Sequence, residues 1–290
     1  MGNGSHASVH GVGTVDLKFT SGKIVQLRNV QHVPTINKNL VSGCLFFQHE
    51  GRRHADGCLR WLDTKPAGLV AYVSFGTQSR FSPPELRELT RGLDLSGKNF
   101  IWVVGGADTE ESEWMPDGFT ELLARGERGL VIRGWAPQML ILNHAVVGGF
   151  VTHCGWNSTL EAVSAGVPMV TWPRYADQFY NEKLVRELLK VGVGVGSMDY
   201  ASKLEARRVI GCEVVAEAIG RVMGDGEEAE AIRERARVLG EKASCAVEKD
   251  GSSYDDVGRL MDELMAGLAN QSAPGALLAH DPRQWLFFHF

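Results

Sequence analysis

Two kinds of hydrophobic patterning divide the chain. Residues 14–20 alternate polar and apolar strictly, Ser21, Gly22 and Lys23 suit a turn, and residues 24–27 resume the alternation, which predicts a β-hairpin. Further on, short and largely apolar runs replace the alternation. They fall at residues 70–75, 99–104, 129–132, 150–152, 167–172 and 191–195, as expected of strands buried on both faces. Between them lie segments with helical spacing: 83–95, opened by Pro83 and Pro84, then 157–165 and 179–189. Strands alternating with helices over short connections predict α/β architecture, a doubly wound parallel sheet, behind a small β-rich N-terminal segment. Residues 212–223, 227–248 and 253–269 read as surface helices, the middle one rich in charge pairs four apart.

The predicted strand ends carry the chemistry. After strand 150–152 come His153, Cys154, Gly155 and Trp156 as a tight turn, then a helix opened by Asn157 and Ser158. The first amides of such a helix are unpaired and its dipole favours an anion, so a diphosphate would fit there. Strand 70–75 runs into Gly76, Thr77, Gln78 and Ser79, a turn able to offer amides and a hydroxyl to a phosphate. Strand 167–172 runs into Pro173 to Gln178, the lip of the next helix. In an open α/β sheet, ligands sit at such carboxyl ends.

Composition narrows the function classes. The 290 residues are 44% hydrophobic and 22% charged, the balance of an ordinary globular protein. A net charge of -5 gives no reason to expect nucleic acid as a partner, so any phosphate site is local. The five cysteines are scattered and never spaced as CxxC, which argues against a disulfide framework or structural zinc and for a reducing, cytoplasmic setting. No apolar run has the length of a membrane span, and the N-terminus is polar and glycine-rich. No Asp-x-Asp motif occurs, so a metal-bridged diphosphate is not expected. Gly192, Gly194 and Gly196 alternate inside a strand pattern and read as structural glycines, not a nucleotide fingerprint.

Trp135, Pro137, Gln138, His144, Gly149, Phe150, the run His153 to Ser158, Leu160, Glu161, the run Gly166 to Met169, Trp172, Pro173, Asp177, Gln178 and Asn181 together resemble the signature box of plant family-1 glycosyltransferases. These are UDP-sugar-dependent enzymes that glycosylate small secondary metabolites. The resemblance implies the C-terminal, donor-binding half of the GT-B glycosyltransferase fold. It also implies inverting, metal-independent transfer with UDP-glucose as donor substrate, a small hydroxylated acceptor and no other cofactor. On it, Trp135 and Gln138, with Ala136 between them, hold the uracil, while Thr77 and His153 contact the diphosphate. Gly155, Trp156, Asn157 and Ser158 line the same pocket, Glu161 accepts ribose hydroxyls, and Asp177 and Gln178 hold the sugar, with a leaning towards glucose. Each residue also has a plainer reading. Trp135 and His153 suit a core, Asn157 and Ser158 suit helix caps, and Glu161 suits a solvated helix face.

The family's general base and acceptor pocket lie in an N-terminal domain with no counterpart before Cys58, so no catalytic residue and no metal ligand is assigned, and the chain is expected to be a truncated transferase. Residues 1–46 instead resemble the piece of copia-type retrotransposon polyproteins that follows their aspartic protease active site. No Asp-Ser/Thr-Gly triplet is present to share a proton between two carboxylates, so ancestry carries over without activity. The expected organisation is a leader over 1–46, a junction over 47–57, a donor-binding domain over 58–269 and an unstructured tail over 270–290.

Overall fold

The structure, a computed structural model, describes residues 11–18, 24–32, 57–104, 115, 119, 128–198 and 207–271. The expected turn at 21–23, most of the loop at 105–118, most of the junction at 47–57 and the tail from 272 onward lie outside the described residues. Two compact units separate, one of Gln48–Cys245 and one of Met1–Phe47 with Ala246–Phe290.

In the second unit, β1 (Gly11–Lys18) pairs antiparallel with β2 (Ile24–His32), Val15 opposite Leu27, with a bulge between Gly13 and Val15.

The larger unit is built on one sheet. Its strands are β3 (Val70–Ser74), β4 (Asn99–Val104), β5 (Gly129–Arg133), β6 (Val147–Thr152), β7 (Met169–Thr171) and β8 (Gly192–Gly194). They are all parallel, in the spatial order β5-β4-β3-β6-β7-β8. The chain winds outward from β3 to one edge, returns to the middle and winds outward again from β6. The direction therefore reverses between β3 and β6, and a crevice opens at the carboxyl ends of that pair.

Both faces of the sheet are covered, which explains strands with little alternation: every residue of β3 is buried. On one face Ala71, Val73, Phe100, Trp102 and Trp172 pack with Leu89 and Leu93 of α1 (Pro83–Leu95) and Val215 and Ile219 of α5 (Cys212–Met223). On the other, Val70, Tyr72, Ile101 and Phe150 pack with a short helix over 57–62, α2 (Gln138–Leu142), α3 (Trp156–Ser164) and Val185. The reading of 212–223 as a surface helix is corrected in part. Val215, Ala218, Ile219 and Val222 are buried on the sheet, a stripe of amphipathic spacing, and only the opposite face meets water.

The helix predicted over 179–189 starts as α4 (Gln178–Lys183) and continues as a π-helix over Leu184–Leu188. Two long helices follow α5, α6 (Glu227–Val247) and α7 (Ser252–Gln271), so residues 270 and 271 are helical, not tail. Among the described residues the cysteines are free, and no helix is long and apolar enough to cross a membrane.

Candidate functional site

Loops leaving β3, β6 and β7 meet at the crevice, and each contains a residue with positive φ: Gly76 at 72°, Cys154 at 63° and Ala176 at 54°. For Cys154 and Ala176 this conformation costs free energy and needs outside support. Cys154 has that support. Its N–H donates to Thr152 Oγ1 at 3.3 Å, and its carbonyl accepts from Asn181 Nδ2 at 2.9 Å. The same Asn181 amide donates to Asp177 Oδ2 at 2.9 Å, so one side chain fixes both the β6 turn and the carboxylate expected to meet the sugar.

His153 lies at the centre. Its ring is packed between two glycines: a Cβ at Gly76 would come within 2.8 Å of Nε2, and one at Gly155 within 2.5 Å. The ring is 9% exposed, and its Nδ1 is buried with no hydrogen-bond partner. A buried polar atom without a partner is rare, and one beside a helix start suits a group that binds an anion. Burial holds the imidazole pKa down at about 4, against an opposing pull from Asp177, so the ring is neutral at neutral pH.

That depression has a sign for stability. An unfolded histidine titrates near 6.5, so protons favour the unfolded chain as pH falls from about 6.5 to about 4. The folding free energy attributable to His153 is complete above that window and lost through it. Between pH 7 and 4.5 the wild type should lose about 2 kcal/mol more than His153→Gln, measured by urea unfolding at both pH values. Parallel losses in both proteins would show that the ring is not held neutral.

The helix after this loop starts one residue earlier than predicted. Gly155 is the N-cap of α3 and makes no side-chain cap hydrogen bond, while Asn157 and Ser158 belong to the first turn. They are therefore not the caps. The helix amides face the crevice with nothing from Gly155 to cover them.

On the far side, Tyr72 Oη donates to Gln138 Oε1 at 3.2 Å, and Gln138 Nε2 donates to Ser158 Oγ at 3.1 Å and to Glu161 Oε2. Gln138 thus ties the start of α2 to the first turns of α3 and orients Glu161 as well as presenting itself. Ala136 is buried beside it, whereas Trp135 is 41% exposed at the end of β5 and Trp156 also faces out. Such exposure suits an indole that stacks on a ligand better than a core tryptophan. Thr77 and Asn157 are exposed at the rim.

At the third loop Asp177 is the N-cap of α4 and exposed, while Gln178 is buried. Gln178 Oε1 accepts from Arg174 N–H at 2.9 Å and from Tyr175 N–H at 3.1 Å, so its carbonyl holds the loop and its remaining chemistry is N–H donation. Sequence reasoning assigned no role to Tyr72, Asn181, Arg174 or Glu85. Asn181 stood in the signature without a role, and Glu85 carried a local sign, since Ser82 followed by Glu85 has the spacing of a capping box, and that box forms.

Among the described residues, one group of possible metal ligands occurs, Glu88, Cys212 and Glu213, and there Glu88 Oε2 accepts the Cys212 N–H at 2.9 Å as a cap of α5. An open groove of about 630 Å³ lies at the opposite ends of the strands, lined by Gly148, Pro168 and charged residues of α6. Its Glu234 and Arg237 are paired with each other.

Residues 54–207 match the family described as UDP-glucoronosyl and UDP-glucosyl transferase, and residues 1–51 match the Pol polyprotein beta-barrel domain. Anthocyanin 3'-O-beta-glucosyltransferase of Gentiana triflora is 49% identical over 212 residues, 72% of this chain and 44% of that protein. The solved structure of Glycyrrhiza uralensis UGT73P12 with glycyrrhetinic acid 3-O-monoglucuronide aligns with a TM-score of 0.69 and 41% identity, over 73% of this chain and 44% of the other. Medicago truncatula UGT71G1 complexed with UDP-glucose aligns at 0.64 and 33%, again over 73% and 44%. The parallel sheet is that of GT-B glycosyltransferases. The chain spans less than half the length of these relatives.

Proposed function

Because the chain belongs to the UDP-glucoronosyl and UDP-glucosyl transferase family, we propose that its crevice is the donor half of a sugar-transfer site, binding UDP-glucose for delivery to a hydroxyl of a small secondary metabolite such as a flavonoid or terpenoid. The observation that carries this reading is the neutral, buried His153 with an unpartnered Nδ1, wedged between Gly76 and Gly155 at the amide-bearing end of α3.

In this reading the uracil stacks on Trp135 beside Ala136, and the ribose hydroxyls meet the Glu161 carboxylate that Gln138 orients. The diphosphate lies over Gly155 and the amides of Trp156, Asn157 and Ser158, with Thr77 and His153 as further donors. Dipole, amides and imidazole then stabilise the negative charge that grows on the leaving UDP. The sugar lies against Asp177 and the Gln178 amide. In an inverting transfer the acceptor oxygen bonds to the anomeric carbon, the bond to the β-phosphate oxygen breaks, UDP leaves with the electron pair and the acceptor proton passes to a base. No described residue of the crevice is assigned that base.

Calorimetric titration of the full chain with UDP and with UDP-glucose tests the reading. Both should bind, and Trp135→Ala should weaken UDP roughly tenfold, the lower end of what base stacking on an aromatic ring contributes. Absence of binding by either nucleotide would overturn it. A second reading is a UDP-binding module without turnover, since the described crevice residues supply donor-side contacts and none is assigned the base. UDP release from UDP-glucose with a phenolic acceptor decides between the two.

A further inference from the structure

We propose that Arg174 and Glu85 form a buried positioning pair that sets the spacing between the sugar-facing loop after β7 and the phosphate-facing loop after β3. The inference rests on the UDP-sugar reading above and concerns how that site discriminates the sugar.

Arg174 lies inside the loop that carries Asp177 and Gln178, and its backbone N–H is one of the two donors holding the Gln178 carbonyl. Its side chain leaves in the other direction. Nη1 reaches Glu85 Oε1 at 2.7 Å, Nη2 reaches the Arg80 carbonyl at 3.0 Å, and the guanidinium lies 4.0 Å over the Phe81 ring. Phe81 is packed edge-on against Trp172 and tilted against Phe75, the residues that directly follow β7 and β3. Glu85 is anchored in turn, since its Oε2 accepts both the Ser82 N–H at 2.8 Å and the Ser82 hydroxyl at 3.0 Å.

The two strands joined in this way are not neighbours. β3 and β7 flank β6, so the pair bridges over the loop that carries His153 and ties the other two ligand-facing loops to each other. The side chains are 3% and 1% exposed. Bringing both charges out of water costs about as much as their attraction returns, so a pair like this contributes little net stability over an apolar replacement. What an apolar contact cannot supply is direction: the planar guanidinium fixes a carboxylate, a carbonyl and a ring at once. Geometry is therefore the contribution, and Gln178 is the residue that depends on it most directly, through the shared backbone of Arg174.

The test separates nucleotide from sugar. For the full chain, Arg174→Met, Arg174→Lys and Glu85→Gln, the dissociation constants of UDP and UDP-glucose are measured side by side with the melting temperature. Arg174→Met and Glu85→Gln should raise the ratio of the UDP-glucose constant to the UDP constant about tenfold, with UDP itself changed less than about threefold, and Arg174→Lys should recover part of the ratio. If Arg174→Met fails to fold, Glu85→Gln carries the test, because its amide oxygen keeps the size and the Ser82 bonds while its NH2, a donor, faces Arg174 and ends both the ion pair and its hydrogen bond. Equal weakening of both ligands, or an unchanged ratio in folded variants, overturns the positioning role. Failure of the wild type to bind UDP overturns the donor-site reading and this inference with it.

Discussion

Gly148→Ala leaves too little stability for the larger unit to fold. Val70 pairs with Val147 and Ala71 with Gly149, so Gly148 is the extra residue of a bulge between the two central strands. A Cβ there would lie 1.9 Å from the Gly68 carbonyl oxygen and 2.6 Å from its carbon. These are backbone atoms, held by the Gly68 N–H to the Ala145 carbonyl at 3.1 Å and the Val70 N–H to the Val146 carbonyl at 2.9 Å, so relief means breaking the β3–β6 ladder. The cost should exceed about 4 kcal/mol, a large part of the 5 to 15 typical of a domain. Circular dichroism melting checks it, with Gly220→Ala as the control. Gly220 sits inside α5 with nothing within 4 Å of an added Cβ, and alanine there should stabilise by about 1 kcal/mol. A Gly148→Ala protein melting within a few degrees of the wild type would refute the account of the bulge.

Gly155→Ala has the opposite signature, a preserved fold with lost binding. The backbone at Gly155 has φ -59° and ψ 144°, which alanine adopts without strain, and the weaker N-cap costs about 1 kcal/mol. The added Cβ, however, falls 2.5 Å from His153 Nε2, the ring atom that Gly76 also approaches closely. The imidazole must turn out of its slot, while the methyl group occupies the approach to the helix amides. Losing a hydrogen bond to a charged group and the close contact together should weaken UDP roughly a hundredfold. Titration calorimetry reads the loss, and a melting temperature within a few degrees of wild type shows that the fold survived. Unchanged UDP affinity would place the diphosphate elsewhere.

These two glycines show where sequence reading succeeds and stops. Gly155 stands out in the sequence because it lies in the tight turn between a predicted strand and a predicted helix, where the lack of a Cβ lets a phosphate approach. Gly148 carried no comparable sign. Its importance comes from Gly68, eighty positions away, brought against it by a crossover whose register depends on the whole sheet. Asn157 and Ser158 illustrate a smaller miss. Both are good cap residues, yet the helix begins before them because the chain turns at Gly155, and tertiary packing decided the boundary. The helix over 212–223 reads as a surface element in the sequence, and its stripe of Val215, Ile219 and Val222 shows its meaning only when the sheet face it covers is present.

By itself, the sequence determined what short-range physics encodes: parallel strands alternating with helices, a helix start ready for an anion, a dense signature from Trp135 to Asn181, and a leader of different origin. Tertiary structure alone decided the contacts between residues far apart in the chain. It placed the His153 ring between two glycines, gave Glu161 to Gln138, and closed Arg174 onto Glu85 across a strand. The reason is that hydrophobic period and local propensity report only which way a side chain faces. Which partner it meets depends on strand order and crossover, and those follow from burying the whole sheet at once.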